Sequence, residues 1–324
     1  MSDTQAPRQA RPEPIKAVPV RHPWRWVALV AIAILVAMFI HLLVTNKAFN
    51  WSFIVDNAFR PPVIEGVRTT ILLTITAMVI GVALGIVIAI LRLSPNPIMS
   101  SVAFVYTWFF RAVPRLVLLT LFGNLGILWE RVGLGLPFDH QIGDLFGIHD
   151  LDAKIFSVKA ITFLSGFVAA MLGLALSEAA YMAEIVRAGI SSVDPGQTEA
   201  SEALGLGRGQ TLRRIILPQA MRVIVPPTGN EAIAMLKDTS LVTAVPVTNE
   251  LFFQLRQIGA REFLPFPMLV AACMWYLFLV SILMIGQYYV ERYFSRGYGS
   301  KRPGKAKPVG VDTISNMGVE GGSA

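Results

Sequence analysis

Several stretches of this chain run for about 20 residues with almost no charge, enough to cross a hydrocarbon layer of about 30 Å as a helix. Val27 to Thr45 is the first, with His41 as its only titratable side chain. Thr69 to Leu91 carries no charge at all, and Ile98 to Trp129 is interrupted by Arg111-Ala112-Val113-Pro114-Arg115. Ala160 to Ala183 carries Glu178, Val223 to Val247 contains Pro226, Pro227, Gly229, Lys237 and Asp238, and Pro267 to Val290 closes the series. The composition agrees: 54% of the 324 residues are hydrophobic and 15% charged, against about 25% charged in soluble domains. The mean hydropathy is +0.58. The expected fold class is all-α, a polytopic transmembrane helix bundle with one N-terminal span ahead of a five-span core. Disorder, collagen and coiled coil are excluded by the same figures.

A single cysteine, Cys273, rules out a disulfide framework and any cysteine-based metal site, and His22, His41, His140 and His149 share no metal-ligand spacing. The net charge of +7 reports orientation first, because basic residues collect on the cytosolic side of membrane proteins. Arg8, Arg11, Lys16, Arg21 and Arg25 stand ahead of the first span, and Arg187, Arg208, Arg213, Arg214 and Arg222 crowd the fourth loop. Arg292, Arg296, Lys301, Arg302, Lys305 and Lys307 follow the last span. Both termini are therefore expected in the cytosol, with the acidic 130–159 loop outside. The polar segments 1–26 and 297–324 are expected to be disordered tails. The apolar stretch 27–45 is too long for a signal-peptide core and reads as a retained, extra helix.

The loop after the fourth span has a pattern of its own. Asp194 suits an N-cap, Pro195 the first helical position, and Gln197 the third, so a short helix is expected to run to Leu204. Gly205 stops it, where a left-handed backbone costs least. Leu206-Gly207-Arg208-Gly209 is the turn, and a second helix is expected over 210–217, ending at Pro218. Such a helix on the cytosolic face is a surface to be gripped. Lipid headgroups would be one partner, but Ala200, Ser201 and Ala203 are small where a lipid-facing helix would carry Trp, Phe or Leu; small residues admit a partner's backbone.

Glu199-Ala200-Ser201, three residues, Gly205, nine residues, then Ile215-x-Leu217-Pro218 resembles the EAA loop of ABC importer permeases. Further resemblances narrow the family to polar amino acid permeases of the histidine/glutamine type. They are Glu65 to Ile71 before the second span, Tyr181 to Ile190 before the loop, and Pro226-Pro227-x-Gly229-Asn230 with Leu236-Lys237-Asp238-Thr239-Ser240-Leu241 after it. Where that family has Arg-Gly-Thr-Pro, this chain has Arg111-Ala112-Val113-Pro114. The resemblance implies a permease domain over 65–290 in the cell membrane, with a coupling loop at 194–218. Glu199, Ala200, Ser201, Gly205, Ile215, Leu217 and Pro218 would dock the ATPase subunits. It also implies an extracytoplasmic amino-acid-binding protein and a second permease, either another copy or a related chain. No GxxxxGK[ST] motif occurs, so ATP and Mg would be used by the partner ATPase, this chain would bind no cofactor, and it is expected not to be an enzyme.

Ionisable residues at membrane depth are costly and are functional candidates by default. Lys237 and Asp238 lie in the fifth span, and adjacent residues do not face one another on a helix. Each then has a different partner, either a neighbouring helix or the substrate. Pro226, Pro227 and Gly229 are expected to break that span and free polar backbone. Asn230, Glu231, Lys237, Asp238 and Ser240 are the expected pathway residues, with Glu178 placed near the cytosolic interface as a gate or a salt-bridge partner. Arg111 and Arg115 flank Pro114 and could hold carboxylates. A competing reading is a secondary transporter relaying protons through Lys237, Asp238 and Glu178; it leaves the EAA-like spacing unexplained.

Overall fold

Within lipid every backbone N–H and C=O needs a partner inside the protein, and a helix supplies them all within one segment. The computed structural model describes residues 23–128, 131–135, 154–159 and 166–294, and these are almost entirely helical. The chain divides into two units at Asn50. The first holds α1 (Trp24–Thr45), whose apolar side chains are all at least partly exposed, and a 3-10 turn at Lys47–Phe49.

The second unit runs α2 (Trp51–Ala58), α3 (Pro61–Arg92), α4 (Pro97–Ala112) and α5 (Arg115–Asn124). Then come two short strands, β1 (Arg131–Gly135) and β2 (Lys154–Lys159), paired antiparallel with Arg131 opposite Lys159. α6 (Phe167–Ser191), α7 (Pro195–Ala203), α8 (Arg208–Thr211), α9 (Leu217–Asp238), α10 (Leu251–Arg261) and α11 (Pro265–Phe294) follow. The ribbon is a departure from an all-helical chain, confined to the long loop. The expected disordered tails and the acidic residues of that loop lie outside the described residues, apart from the start of α1.

Four helices, α1, α3, α6 and α11, are long and apolar enough to cross a membrane, and α4 with α5 forms a fifth candidate bent by 102°. The bend falls at Val113-Pro114, because proline denies the helix a donor and pushes its predecessor into extended backbone, ψ 128° at Val113. Two expected boundaries shift. The fourth span begins at Phe167 and runs on to Ser191 rather than stopping at Ala183. The expected fifth span, 223–247, is not among these candidates, and it does not break at its prolines: α9 passes through Pro226 and Pro227 as continuous helix and changes to 3-10 only at Thr239. Just past the prolines, Thr228 donates its hydroxyl to the carbonyl of Ile224 one turn back at 2.8 Å.

Small residues decide which helices meet. Ala77, Gly81, Gly85 and Ala89 recur every four residues on α3 and are all buried. A methyl group added at Gly81 would lie 2.8 Å from the Cβ of Glu178, and one at Gly85 would lie 2.5 Å from the Cβ of Met182. α6 answers with buried Ala175, Ala179, Ala180 and Ala183. The backbones therefore approach as in small-xxx-small pairs of membrane helices.

At the other end Glu250, fully buried, holds three helices together. Its Oε1 accepts from the Thr70 hydroxyl of α3 at 2.9 Å and from the Tyr276 hydroxyl of α11 at 2.7 Å. Its Oε2 accepts from the amides of Phe252 and Phe253, capping α10.

Candidate functional site

The close approach of α3 and α6 places Glu178 midway along α6, not near its end as its position in the shorter expected span implied. It is fully buried. Arg115, the first residue of α5 just past the Pro114 bend, reaches it with Nη2 at 2.8 Å. The same guanidinium pairs through Nη1 with Asp238 at the end of α9. Glu231, two turns earlier on the same face of α9, lies 3.6 Å from Nη2. The Tyr181 ring, one turn along α6 from Glu178, lies 4.9 Å below the guanidinium.

One cation therefore serves three carboxylates from two helices. The planar fork of arginine suits this, since its five donors fan out in fixed directions. It does not satisfy everything: the second oxygen of Glu178, Oε1, is buried without a hydrogen-bond partner among the described residues. An excess of acidic oxygen around one guanidinium, in a low-dielectric setting, leaves a place that a further cation or hydrogen-bond donor would fill.

Glu178, Glu231 and Asp238 are thus brought together. Asn230, Lys237 and Ser240 are not. Asn230 turns to α11, where its Oδ1 accepts from Gln287 Nε2 at 3.0 Å. Ser240 donates to the Lys237 carbonyl at 2.7 Å. The Lys237 side chain is exposed and does not pair with Asp238. Arg115 is the residue that sequence reasoning undervalued; the available signal was an arginine directly after a proline inside an apolar span.

The 194–218 loop folds largely as expected. Asp194 caps α7 by accepting from the Gly196 amide at 2.7 Å. α7 ends in the two-bond pattern of a left-handed stop: the Leu206 amide donates to the Ser201 carbonyl at 3.0 Å and the Gly205 amide to that of Glu202 at 2.9 Å. Gly205 has φ +72°. Glu199, Ala200 and Ala203 face outward, but Ser201 is buried against its own chain and offers no surface to a partner. The second helix does not end at Pro218. α8 passes through a π-helical turn at Leu212–Ile216 into α9, with Pro218 in its first turn and Ile216 buried. Ile215 and Leu217 are half-buried. Gln219 Nε2 donates to Gln197 Oε1 at 3.3 Å, tying α7 to the start of α9.

Residues 81–296 match the family described as binding-protein-dependent transport system inner membrane component. The chain belongs to that family. This permease is 46% identical over 288 residues to the arginine transport system permease protein ArgU of Corynebacterium glutamicum, covering 89% of this chain and 85% of that one. It is 32% identical to the glutamate/aspartate import permease protein GltK of Escherichia coli, covering 72% and 92%. Among solved structures, an amino acid ABC transporter with histidines aligns with TM-score 0.56 and 30% identity over 72% of this permease and 95% of that chain. A permease subunit of the inner membrane is therefore what this chain is, and the secondary-transporter reading falls with that membership.

Proposed function

We propose that this permease carries polar amino acids inward, those with a cationic side chain foremost, as the membrane subunit of an ATP-driven importer. The carrying observation is the Arg115 centre: three carboxylates converge on one guanidinium, and an oxygen of Glu178 is left without a donor among the described residues. A cationic side chain or an α-ammonium supplies what that centre lacks. The likeness to an arginine permease supports the same substrate class. Glu178, Glu231 and Asp238 are the pathway residues, with Asn230 and Lys237 of α9 and Ser240 of the 3-10 segment after it lining the approach.

In this reading both termini lie in the cytosol, and the exposed face of α7 and the α8 turn, with Glu199, Ala200 and Gly205, docks the ATPase subunits. Ile215, Leu217, Pro218 and the buried Ser201 shape that face from beneath. The partner ATPase uses ATP and Mg; this chain binds neither. A binding protein delivers substrate from outside, and a second permease completes the pathway.

The test is uptake into proteoliposomes containing the permease, its ATPase and its binding protein, with a panel of radiolabelled amino acids. ATP-dependent uptake, highest for arginine or lysine, is expected. Uptake of no amino acid, or uptake that proceeds without the ATPase on a proton gradient alone, overturns the proposal.

A further inference from the structure

Adjoining the Arg115 centre, and sharing Tyr181 and Glu231 with it, lies a cavity of about 400 Å³ between the end of α4, α6 and α9, within the ~300–1,000 Å³ range of small-molecule sites. Arg111, Tyr181, Glu184, Arg187, Pro227 and Glu231 are among its lining residues. Their charges are unequally committed. Arg187 is clamped on Glu184, with Nε at 2.9 Å and Nη2 at 2.7 Å from the same oxygen, and Arg92 approaches that carboxylate from α3 at 3.9 Å. That group is neutralised from within the protein.

Arg111 and Glu231 are different. The Arg111 guanidinium rests over the Tyr181 ring at 5.6 Å and makes no salt bridge among the described residues. Glu231 is the most loosely held of the three acids on Arg115, at 3.6 Å, beyond good hydrogen-bond length. The cavity therefore presents a guanidinium that makes no salt bridge among the described residues, though it lies near enough to act on Glu231 electrostatically, and one loosely held carboxylate. The Arg111 guanidinium is exposed to the cavity mouth, and its planar fork keeps donors available for an anion.

We propose that Arg111 binds the α-carboxylate of the transported amino acid in this cavity, with Glu231 receiving its α-ammonium group. The assignment rests on the amino-acid reading above and adds the residue that recognises the feature all amino acids share. Two parallel N–H···O bonds from a guanidinium match a carboxylate in shape and charge. Tyr181 holds the guanidinium plane in place through its ring face. Glu231, shared with the Arg115 centre, links backbone recognition in the cavity to side-chain recognition at the three acids.

The experiment measures equilibrium binding to the permease–ATPase complex in lipid nanodiscs, without binding protein, so that the permease alone discriminates. The probes are L-arginine and agmatine, which is arginine without its carboxylate. The parent complex should bind arginine about tenfold or more tightly than agmatine, the size of one charge-assisted pair. Arg111→Gln should bind the two equally, Arg111→Lys should keep part of the preference, and Glu231→Gln should weaken both ligands alike. Arg111 is exposed, so these variants should still co-purify with the ATPase, and the preference ratio does not depend on how much of the protein is active. If Arg111→Gln keeps the parental preference, this assignment is wrong while the importer reading stands. If the parent binds another amino acid instead, the same comparison is made with that amino acid and its decarboxylated amine. If it binds no amino acid at all, this assignment is wrong, and the importer reading stands or falls on the uptake measurement.

Discussion

Arg115 is the residue on which most depends. Its removal leaves Glu178, Glu231 and Asp238 facing one another without a countercharge, and breaking a buried ion pair from one side costs about 3–5 kcal/mol. Arg115→Gln should therefore lower the thermal unfolding midpoint of the detergent-purified permease and abolish uptake. Arg115→Lys keeps the charge but has a single ammonium where three carboxylates need a fork, so it should recover stability in part and uptake hardly at all. Parental stability and uptake in Arg115→Gln would show that the centre is incidental. Glu250 works by bonds rather than by a countercharge: four donors converge on it. Glu250→Ala should cost about 1–3 kcal/mol for the donors it orphans. Accelerated hydrogen exchange in α10, measured by mass spectrometry, is the expected sign, and unchanged exchange there would rule out the capping role.

Among the elements, the α3–α6 pair fixes the position of the site. Gly85→Leu would drive a side chain into Met182 and the Ala179 carbonyl, an overpacking that costs about 1–3 kcal/mol. Because Glu178 rides on the same surface, uptake should fall further than the melting midpoint does; a variant with full uptake would show that the spacing is not critical. Gly205→Val meets no steric obstacle, since nothing lies within 4 Å of the added Cβ. It does force a β-branched residue into φ +72°, at a cost of about 1 kcal/mol or more. The permease should insert normally and lose substrate-stimulated ATP hydrolysis by its partner. Normal stimulation would remove α7 from the coupling face. How legible these elements were follows from what sets each one. The cap at Asp194, the stop at Gly205 and the bend at Pro114 are local effects of single residues, and all three could be read from the chain. The passage of α9 through Pro226 and Pro227 could not, because tertiary packing outweighs the local penalty there. The three carboxylates were visible as charges at membrane depth, and Arg115 as a residue that could hold carboxylates, but not that it serves all three: residues 63 and 123 positions from Arg115 are joined only by the way α3, α5, α6 and α9 pack.

For the molecule as a whole, the purified chain should hydrolyse no ATP, having no phosphate-cradling loop. Hydrolysis by a homogeneous preparation, surviving every contaminant-removal step, would contradict this. A second expectation comes from α8, the π-helical turn and α9, which form one helical run from Arg208 to Asp238. At 1.5 Å per residue it is about 46 Å long. It is in effect a shaft with one compliant coupling: a π-helical turn contains a residue more than an α-turn, so its torsional play is local and adjustable. Deleting Arg214 should convert that turn to plain α-helix while keeping the register of Glu231 and Asp238 toward Arg115. The shortened protein should then assemble with its ATPase, and its backlash should be gone: nucleotide state and substrate occupancy would turn together, with idle hydrolysis reduced when no substrate is present. Unchanged idle hydrolysis would mean that the slack lies elsewhere in the train.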